Sequence, residues 1–287
     1  MADLPVLRAA IGRTRATAPL FAGEVAPAGL RLDLADIPVI SRAFAPMVRE
    51  ARYDVSEMAI ATFLMAKAWG RPLVLLPVTL AARFQEAALL CRADGPVTPP
   101  EELAGRRVGV RAYSQTTGMW LRGTLARRHG VAAGAVRWVT FEDAHVAEYR
   151  DPPFAERAPK GADMLAMLKA GELDAAVFGN DVPDDPALRP VFADPEAAGE
   201  AFRAAHGFVP VNHLLVVTRE LAETRPALVA ELCATFRRLL DGTGLPLGRA
   251  ALAPAIALAV EDCVAQGLLP RALTADEVWD GLPPGLD

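Results

Sequence analysis

A short apolar strand that runs into a hydroxyl-rich turn and then a helix is the part of this sequence best suited to bind a charged group. Residues 107–120 read RVGVRAYSQTTGMW, and the turn contains Ser114, Thr116 and Thr117. These side chains can cap the following helix, whose first backbone N–H groups have no partner within the helix. The pattern predicts a site for a carboxylate or phosphate, with an ordinary capped strand–helix junction as the alternative.

A second candidate for anion binding follows the first predicted strand. Arg13, Thr14 and Arg15 come directly after an apolar run that ends at Gly12. The planar guanidinium group of arginine matches a carboxylate, and threonine adds a hydroxyl group. The triplet predicts a ligand-binding turn, with a solvated turn as the alternative.

Ser56 and Glu57 are expected to begin an apolar helix that runs to Trp69. Ser56 would cap this helix, and the helix start would form a further anion site. A buried Glu57 would lose water, which favours the protonated carboxyl group and suits it to proton donation. The alternative is that Ser56 only caps the helix and that Glu57 only complements the helix dipole.

His213 lies in the apolar run Val209–Thr218, beside a place where the chain is expected to cross between two lobes. Its imidazole can shuttle a proton or form a hydrogen bond with a phenol. A single histidine in an apolar strand can equally be a core residue with satisfied hydrogen bonds.

Composition indicates a globular protein and excludes several classes. The chain has 287 residues, of which 52% are hydrophobic and 23% charged, and its formal net charge is −5. This acidic balance argues against a nucleic-acid partner, which needs a clustered basic surface. No apolar run approaches the ~18–20 residues of a membrane helix, and the N-terminus lacks the pattern of a secretory signal. We therefore expect a cytoplasmic protein with no membrane partner.

The cysteines Cys91, Cys233 and Cys263 are far apart and lack CxxC spacing, which predicts reduced, buried thiols. No group of His, Cys, Asp and Glu has the spacing of metal ligands. The chain also lacks a phosphate-binding loop of the Walker type and a dinucleotide fingerprint. We expect no metal and no cofactor.

Strand and helix patterns alternate, which favours an α/β fold. The predicted strands are Leu4–Ile11, Leu30–Leu34, Tyr53–Ser56, Leu73–Val78, Ala87–Cys91, Val108–Arg111, Val136–Phe141, Leu173–Phe178 and Val209–Thr218. The predicted helices are Ser41–Ala51, Glu57–Trp69, Gly118–His129, Ala162–Ala170, Pro195–His206, Arg225–Leu240, Ala250–Gln266 and Thr274–Trp279. The segments Asp143–Lys160 and Asp181–Pro195 are predicted to be loops.

The later strands form a second group that is enclosed by material of the first group. This order predicts two lobes joined by two crossings, with residues 1–93 and 213–287 in lobe 1 and residues 94–212 in lobe 2. Strand ends and helix starts would converge between the lobes, which predicts a ligand cleft there.

Several motifs occur in an order typical of one known fold. They are DVSEM at 54–58, GRRVGV at 105–110 and GELDA at 171–175. Further motifs are RTR at 13–15, TTGMWLRG at 116–123 and GFVPVNH at 207–213. With these motifs the chain resembles type 2 periplasmic-binding-protein folds and, more narrowly, the 4,5-dihydroxyphthalate decarboxylase family, over roughly residues 5–225.

The resemblance implies a two-lobed enzyme that removes carbon dioxide from a hydroxylated aromatic acid. Its retained carboxylate would be bound by the 13–15 triplet and by the helix starts at Ser56 and at 114–117, with His213 or Glu57 as the proton donor. The resemblance also implies an Arg-His pair where this chain has Gln85-Glu86. Glu86 is therefore a reserve candidate for the proton donor.

Two alternatives use the same anion sites. One is a non-catalytic solute-binding protein that supplies a small carboxylate to a transporter or sensor. The other is a different small-molecule enzyme on this fold, similar to the dehydratases of the menaquinone pathway. In each case the expected partner is a small aromatic or aliphatic carboxylate, and the protein can be an oligomer.

Overall fold

The computed structural model describes residues 4–96 and 99–287. Its strands are β1 (Val6–Ala10), β2 (Arg31–Leu34), β3 (Val55–Ala59), β4 (Leu73–Ala82), β5 (Leu89–Arg92), β6 (Arg107–Val110), β7 (Arg137–Thr140), β8 (Ala155–Arg157), β9 (Ala175–Val177), β10 (Leu188–Pro190) and β11 (Val211–Thr218). Its α-helices are α1 (Ala18–Phe21), α2 (Phe44–Glu50), α3 (Ile60–Ala68), α4 (Thr116–His129), α5 (Met164–Ala170), α6 (Pro195–His206), α7 (Arg219–Thr224), α8 (Pro226–Leu240), α9 (Arg249–Ala265) and α10 (Ala275–Trp279). Short 3₁₀ turns occupy Ile40–Ala43, Glu86–Ala88, Pro100–Leu103 and Ala133–Ala135.

The chain forms two compact units, which we call the first and the second unit. The first unit is built from the chain up to Ala82, from Val211–Ala257 and from Arg271–Asp287. The second unit is built from Arg83–Pro210 and Leu258–Pro270. The first change of unit comes earlier than the position expected from the sequence, because β5 pairs with β9 and β10 in the sheet of the second unit.

The sheet of the first unit has the strand order β2-β1-β3-β11-β4. Strand β1 is parallel to β2 and β3, whereas β11 is antiparallel to β3 and β4. Every residue of β3 is buried, as expected for a central strand that is covered on both faces. Helix α8 covers part of this sheet with Val229, Leu232, Cys233 and Phe236, whose spacing forms one apolar helix face.

The sheet of the second unit has the order β10-β5-β9-β6-β7-β8. Strands β9, β6, β7 and β8 are parallel, and β5 and β10 add antiparallel pairs. Helix α5 contributes Met167 and Leu168 to a core that also contains Leu90, Val139 and Leu173. The α/β fold with two mixed sheets agrees with the fold class expected from the sequence.

Helix α4 is fixed in the second unit by buried hydrogen bonds to Gln266. The Arg122 Nε donates to Gln266 Oε1 at 2.7 Å, and Gln266 Nε2 donates to the Met119 carbonyl at 2.9 Å. Arg122 Nη2 also donates to the carbonyl of Tyr113, 2.6 Å away. The turn that precedes α4 is therefore tied to the helix itself.

The prediction of a helix from Glu57 is wrong, because residues 55–59 form β3 and the helix begins only at Ile60. A short buried apolar run fits a strand and a buried helix equally well, and here pairing with β1 and β11 decides between them. The two predicted loops also contain short strands, β8 and β10. Both are peripheral strands that carry a weak sequence pattern.

None of the described helices combines the length and apolar character needed to cross a bilayer. The three cysteines are buried and free, in agreement with the prediction from their spacing.

Ala51 is the non-glycine residue with a positive φ angle among the residues that the structure describes. Ala51 ends α2 with φ +48°, a region that is unfavourable for residues with a Cβ atom. We predict that Ala51→Gly increases the free energy of unfolding by about 1 kcal/mol, since glycine adopts this conformation without the steric penalty.

Chemical denaturation measures this effect. Ala126→Gly, at an exposed position in the C-terminal part of α4, is the matched control and should instead lower stability by about 0.5–1 kcal/mol. Equal destabilisation by both glycines would contradict the prediction for Ala51.

Candidate functional site

A buried carboxylate–imidazole pair lies in the sheet of the first unit. The Oε1 atom of Glu57 and the Nδ1 atom of His213 are 2.5 Å apart. The side chains are 4% and 13% exposed, respectively. Glu57 lies opposite Leu215 in the antiparallel pairing of β3 with β11, so His213 is its diagonal neighbour on the same face of the sheet.

The second oxygen of the Glu57 carboxylate is bonded to the backbone. The N–H of Gly12, just beyond the end of β1, donates to Glu57 Oε2 at 2.7 Å. A Cβ atom on Gly12 would lie 2.9 Å from that oxygen, so an added side chain would force the carboxylate to shift. The hydroxyl of Thr17 donates to the Gly12 carbonyl at 2.6 Å and holds this turn in place. Both carboxylate oxygens are thus fixed by neighbours within one unit.

This arrangement determines which nitrogen of His213 is available for chemistry. In the neutral ring, a hydrogen on Nδ1 is donated to Glu57, and Nε2 then carries the lone pair. Among the residues that the structure describes, none forms a hydrogen bond with Nε2 of His213. The Phe44 ring packs edge-on against the imidazole, with 5.3 Å between ring centroids. Nε2 can therefore accept a proton, or donate one when the ring is charged.

His213 also lies at an irregularity of the sheet. The pairing of β11 with β4 shifts register on both sides of His213, between Val211 and Leu214. Such irregularities redirect a side chain and are common beside active sites. The local backbone is therefore consistent with a functional role for this histidine.

The predicted triplet at 13–15 takes no part in the hydrogen bonds described for the Glu57 and His213 side chains. Arg13, Thr14 and Arg15 are exposed in the turn that follows Gly12. The Arg13 guanidinium lies over the Phe21 ring, 4.4 Å from its centroid, and the Thr14 hydroxyl contacts that of Thr17. The triplet is thus a solvent-accessible turn whose two cations can reach a ligand.

Ser56 does not cap a helix, because it lies within β3 rather than at a helix start. Its hydroxyl donates to the carbonyl of Glu57 at 2.7 Å, and the residue is completely buried. Successive strand residues point to opposite faces, so Ser56 faces away from the Glu57 carboxylate. The anion site predicted at this position on the basis of a helix start is therefore wrong.

The predicted hydroxyl cap of α4 is also wrong. Gln115 occupies the N-cap position, and no side chain caps the helix. Thr116 and Thr117 are instead the first two residues of the helix, and both are buried, as is Ser114. The start of α4 still presents the positive end of its dipole.

Arg83 is a charged residue at this helix start that the sequence did not indicate. Its Nη2 donates to the Thr117 hydroxyl at 3.2 Å. Within the described part of the chain, no carboxylate pairs with its guanidinium group. Burial lowers the pKa of Arg83 from its ordinary value. The available signal was one basic residue directly after the long apolar strand β4.

Glu86 is a buried carboxyl in the second unit and is 1% exposed. Its Oε2 accepts a hydrogen bond from the Gln85 N–H at 2.9 Å. Burial raises the pKa of Glu86, and hydrogen bonds from the Glu86 and Gln85 backbone, followed by the charge of Arg128, oppose this shift less strongly. Glu57 and His213 belong to the first unit, whereas Glu86, Ser114, Thr116 and Thr117 belong to the second.

In the described residues, no group of three or more His, Cys, Asp and Glu side chains is arranged to hold a metal ion. The side chains gathered around Glu57 and around Arg83 are instead suited to hydrogen bonding, proton transfer and binding of an anion.

Comparison with known proteins gives two informative relatives. A 4,5-dihydroxyphthalate decarboxylase from Pseudomonas putida is 30% identical over 215 residues, which are 69% of this chain and 81% of the relative. A protein of the same name from Comamonas testosteroni is 29% identical over 254 residues, which are 80% of this chain and 73% of that relative. No protein-family model matches the chain.

Solved structures show the fold. The alkanesulfonate-binding protein SsuA from Xanthomonas axonopodis, bound to MOPS, has a TM-score of 0.58 at 14% identity, with 97% of this chain and 99% of that chain covered. A desulfurization enzyme, DszB, has a TM-score of 0.55 at 16% identity, with 96% of each chain covered. The fold is therefore the two-lobed fold of periplasmic binding proteins, and it occurs in both a binding protein and an enzyme.

The Gly12 contact predicts a measurable effect on the histidine. In the wild-type protein, neutral His213 should carry its hydrogen on Nδ1, because Glu57 accepts it there. Gly12→Ala should displace the carboxylate and return the ring towards the Nε2-protonated tautomer, as read from imidazole ¹⁵N chemical shifts.

The control variant is Gly134→Ala, whose added Cβ would have ordinary contacts of 3.5 Å with Phe154. An unchanged tautomer in Gly12→Ala would mean that the Gly12 N–H does not position Glu57.

The raised pKa of Glu86 predicts that the stability of the protein depends on pH. Because the pKa of Glu86 is raised in the folded protein, the folded state binds this proton more tightly than the unfolded state. The resulting contribution to stability is complete below the ordinary carboxyl pKa and is lost as pH rises through the raised value. Glu86→Gln should therefore gain stability relative to wild type as pH increases through this window.

Denaturation at several pH values measures the difference between the two proteins. Glu172→Gln removes the same charge at an exposed position of the second unit and serves as the control. A wild-type-minus-variant difference that is constant with pH would contradict the assignment of a raised Glu86 pKa.

Proposed function

The chain belongs to the 4,5-dihydroxyphthalate decarboxylase family, and on this basis we propose that it decarboxylates a hydroxylated aromatic acid related to 4,5-dihydroxyphthalate. The observation that carries the proposal, besides this membership, is the buried Glu57–His213 pair with an available Nε2. A site that only binds a carboxylate has no need of an oriented proton donor.

The reaction replaces a carboxylate on the ring with a hydrogen. The bond between the ring carbon and the carboxylate breaks, its electron pair stays with the ring, and carbon dioxide leaves. One proton is added to the same ring carbon, so the products are carbon dioxide and a dihydroxybenzoate. In 4,5-dihydroxyphthalate each carboxyl group is para to a hydroxyl, and this hydroxyl can push electron density towards the carbon that is protonated.

We assign proton donation to Nε2 of protonated His213. Glu57 is the positioning residue, because its carboxylate receives Nδ1–H and directs Nε2 away from itself. Gly12 in turn holds Glu57 through its backbone N–H. Glu86, which is buried and has a raised pKa, is the alternative proton donor.

Each unit has its own candidate groups for anion recognition. In the first unit, Arg13 and Arg15 are exposed cations in the turn after Gly12, with the Thr14 hydroxyl between them. In the second unit, Ser114, Thr116 and Thr117 lie at the start of α4. These groups support a small carboxylate as the ligand, because each offers positive charge or hydrogen-bond donors. Ser56 is not among these groups, because its hydroxyl is donated to the Glu57 carbonyl within the sheet. The expected cytoplasmic location stays a prediction.

Activity measurements with matched variants test the proposal. The purified protein should release carbon dioxide from 4,5-dihydroxyphthalate. His213→Asn should lower kcat/KM by about 100- to 10,000-fold, the usual contribution of a positioned acid or base. Glu57→Gln should lower it less, because the imidazole remains but is no longer oriented.

His129→Asn is the control, since His129 forms a similar pair with Glu101, with Nδ1 and Oε1 2.6 Å apart. This variant should keep wild-type activity. If Glu86→Gln abolishes turnover while His213→Asn retains it, the proton donor is Glu86. Tight binding of the acid without release of carbon dioxide would contradict the proposal and favour a solute-binding protein.

A further inference from the structure

We propose that Arg83 binds a carboxylate group of the substrate and is the main determinant of acid recognition in the second unit. This inference deepens the proposed function and rests on it for the class of substrate, an aromatic acid. Neither the sequence motifs nor the predicted site residues include Arg83.

The first observation is an uncompensated positive charge. The Arg83 guanidinium lies against Thr117, the second residue of the 14-residue helix α4. A cation at the positive end of a helix dipole is in an unfavourable place. In the described residues no carboxylate offsets it, whereas Arg107, Arg127 and Lys169 of the same unit each have one. A bound anion would relieve this repulsion, which is the pattern of a site arranged for a ligand.

The second observation is the supply of hydrogen-bond donors. A guanidinium group has five N–H donors. One is donated to the Thr117 hydroxyl at 3.2 Å and one to the Phe84 carbonyl at 3.5 Å. Three therefore remain, in the planar arrangement that matches the two oxygens of a carboxylate. Burial lowers the pKa of Arg83, which agrees with a guanidinium partly removed from water.

The third observation is that the backbone around Arg83 is held rigidly. The Arg83 N–H donates to the Pro210 carbonyl at 3.0 Å, and its carbonyl accepts from Gln85 Nε2 at 2.6 Å. The next residue, Phe84, packs its ring so closely on Gly199 of α6 that a Cβ there would lie 2.4 Å from the ring. A fixed backbone limits the entropy lost when the side chain binds a ligand.

Arg122 is a fully buried arginine that likewise has no carboxylate partner among the described residues, and its position has a structural explanation. Its guanidinium lies 4.0 Å from the Tyr113 ring centroid and 5.1 Å from that of Trp138. It donates to Gln266 and to the Tyr113 carbonyl and is 1% exposed. Arg122 is enclosed by the core, whereas Arg83 is half-buried and accessible to a ligand.

Calorimetric titration of Arg83 variants tests the inference. The probes are 4,5-dihydroxyphthalate, phthalate and catechol, which lacks carboxylates. Arg83→Gln should raise the Kd for both di-acids by at least about 30-fold and leave the Kd for catechol unchanged, since only a charge-assisted carboxylate contact is lost. Arg83→Lys keeps the positive charge but loses the planar set of N–H donors, and it should have an intermediate Kd for the di-acids.

Arg137→Gln is the control, because it removes the same charge from an exposed position of β7. The control should bind both di-acids as wild type does. Di-acid binding by Arg83→Gln within twofold of wild type would overturn the inference. If Arg83→Gln does not fold, Arg83→Lys decides, and wild-type binding by this variant overturns the inference.

The two proposals fail in different ways. A wild-type protein that binds the di-acids in an Arg83-dependent manner but releases no carbon dioxide supports the role of Arg83 and contradicts decarboxylation. Turnover that is independent of Arg83 supports decarboxylation and overturns this inference. A wild-type protein that binds neither di-acid overturns both.

Discussion

The hydrogen bonding of one buried carboxylate is the interaction on which the first unit's site depends. A carboxyl group removed from water is strongly destabilising unless hydrogen bonds replace its hydration. Glu57 receives one bond from the Gly12 backbone and one from the His213 ring, so both of its oxygens are satisfied. Loss of either partner would leave a buried oxygen unpaired, and for this reason the three residues depend on one another.

The arrangement of the strands brings Gly12, Glu57 and His213 together. Glu57 lies in the central strand β3, with β1 on one side and β11 on the other. The Gly12 N–H comes from the turn beyond β1, and His213 comes from β11. A parallel neighbour and an antiparallel neighbour thus bring two distant segments to one carboxylate. The shift in register of β11 at His213 changes the direction of the His213 side chain.

The second unit provides a different kind of chemistry. Arg83 and the start of α4 concentrate positive charge where no carboxylate of the described residues compensates it. Glu86, three residues later, is instead a buried acid that favours its protonated form. The fold itself does not choose between ligand binding and catalysis, because similar folds occur in the alkanesulfonate-binding protein SsuA and in the desulfurization enzyme DszB. The distinction lies in the proton-donating and anion-binding side chains.

The sequence predicted much of the architecture. The alternation of apolar runs and amphipathic segments predicted α6, α8 and most of the strands, because periodicity and terminating glycines and prolines are local properties. His213 and Glu57 were also indicated as candidates, and the structure brings them together. Their contact could not be derived locally, since they are 156 residues apart in the chain.

By itself, the sequence determined the α/β class, the motifs of the family and the residue types able to carry a proton or bind an acid. Tertiary structure alone decided that residues 55–59 are a strand, that no hydroxyl caps α4, that Gly12 bonds to the Glu57 carboxylate and that Arg83 bonds to Thr117. The physical reason is that a short apolar run can satisfy its backbone as helix or as strand, and only the neighbouring strands determine which. The partners of a buried charge are likewise set by packing between segments that are distant in sequence.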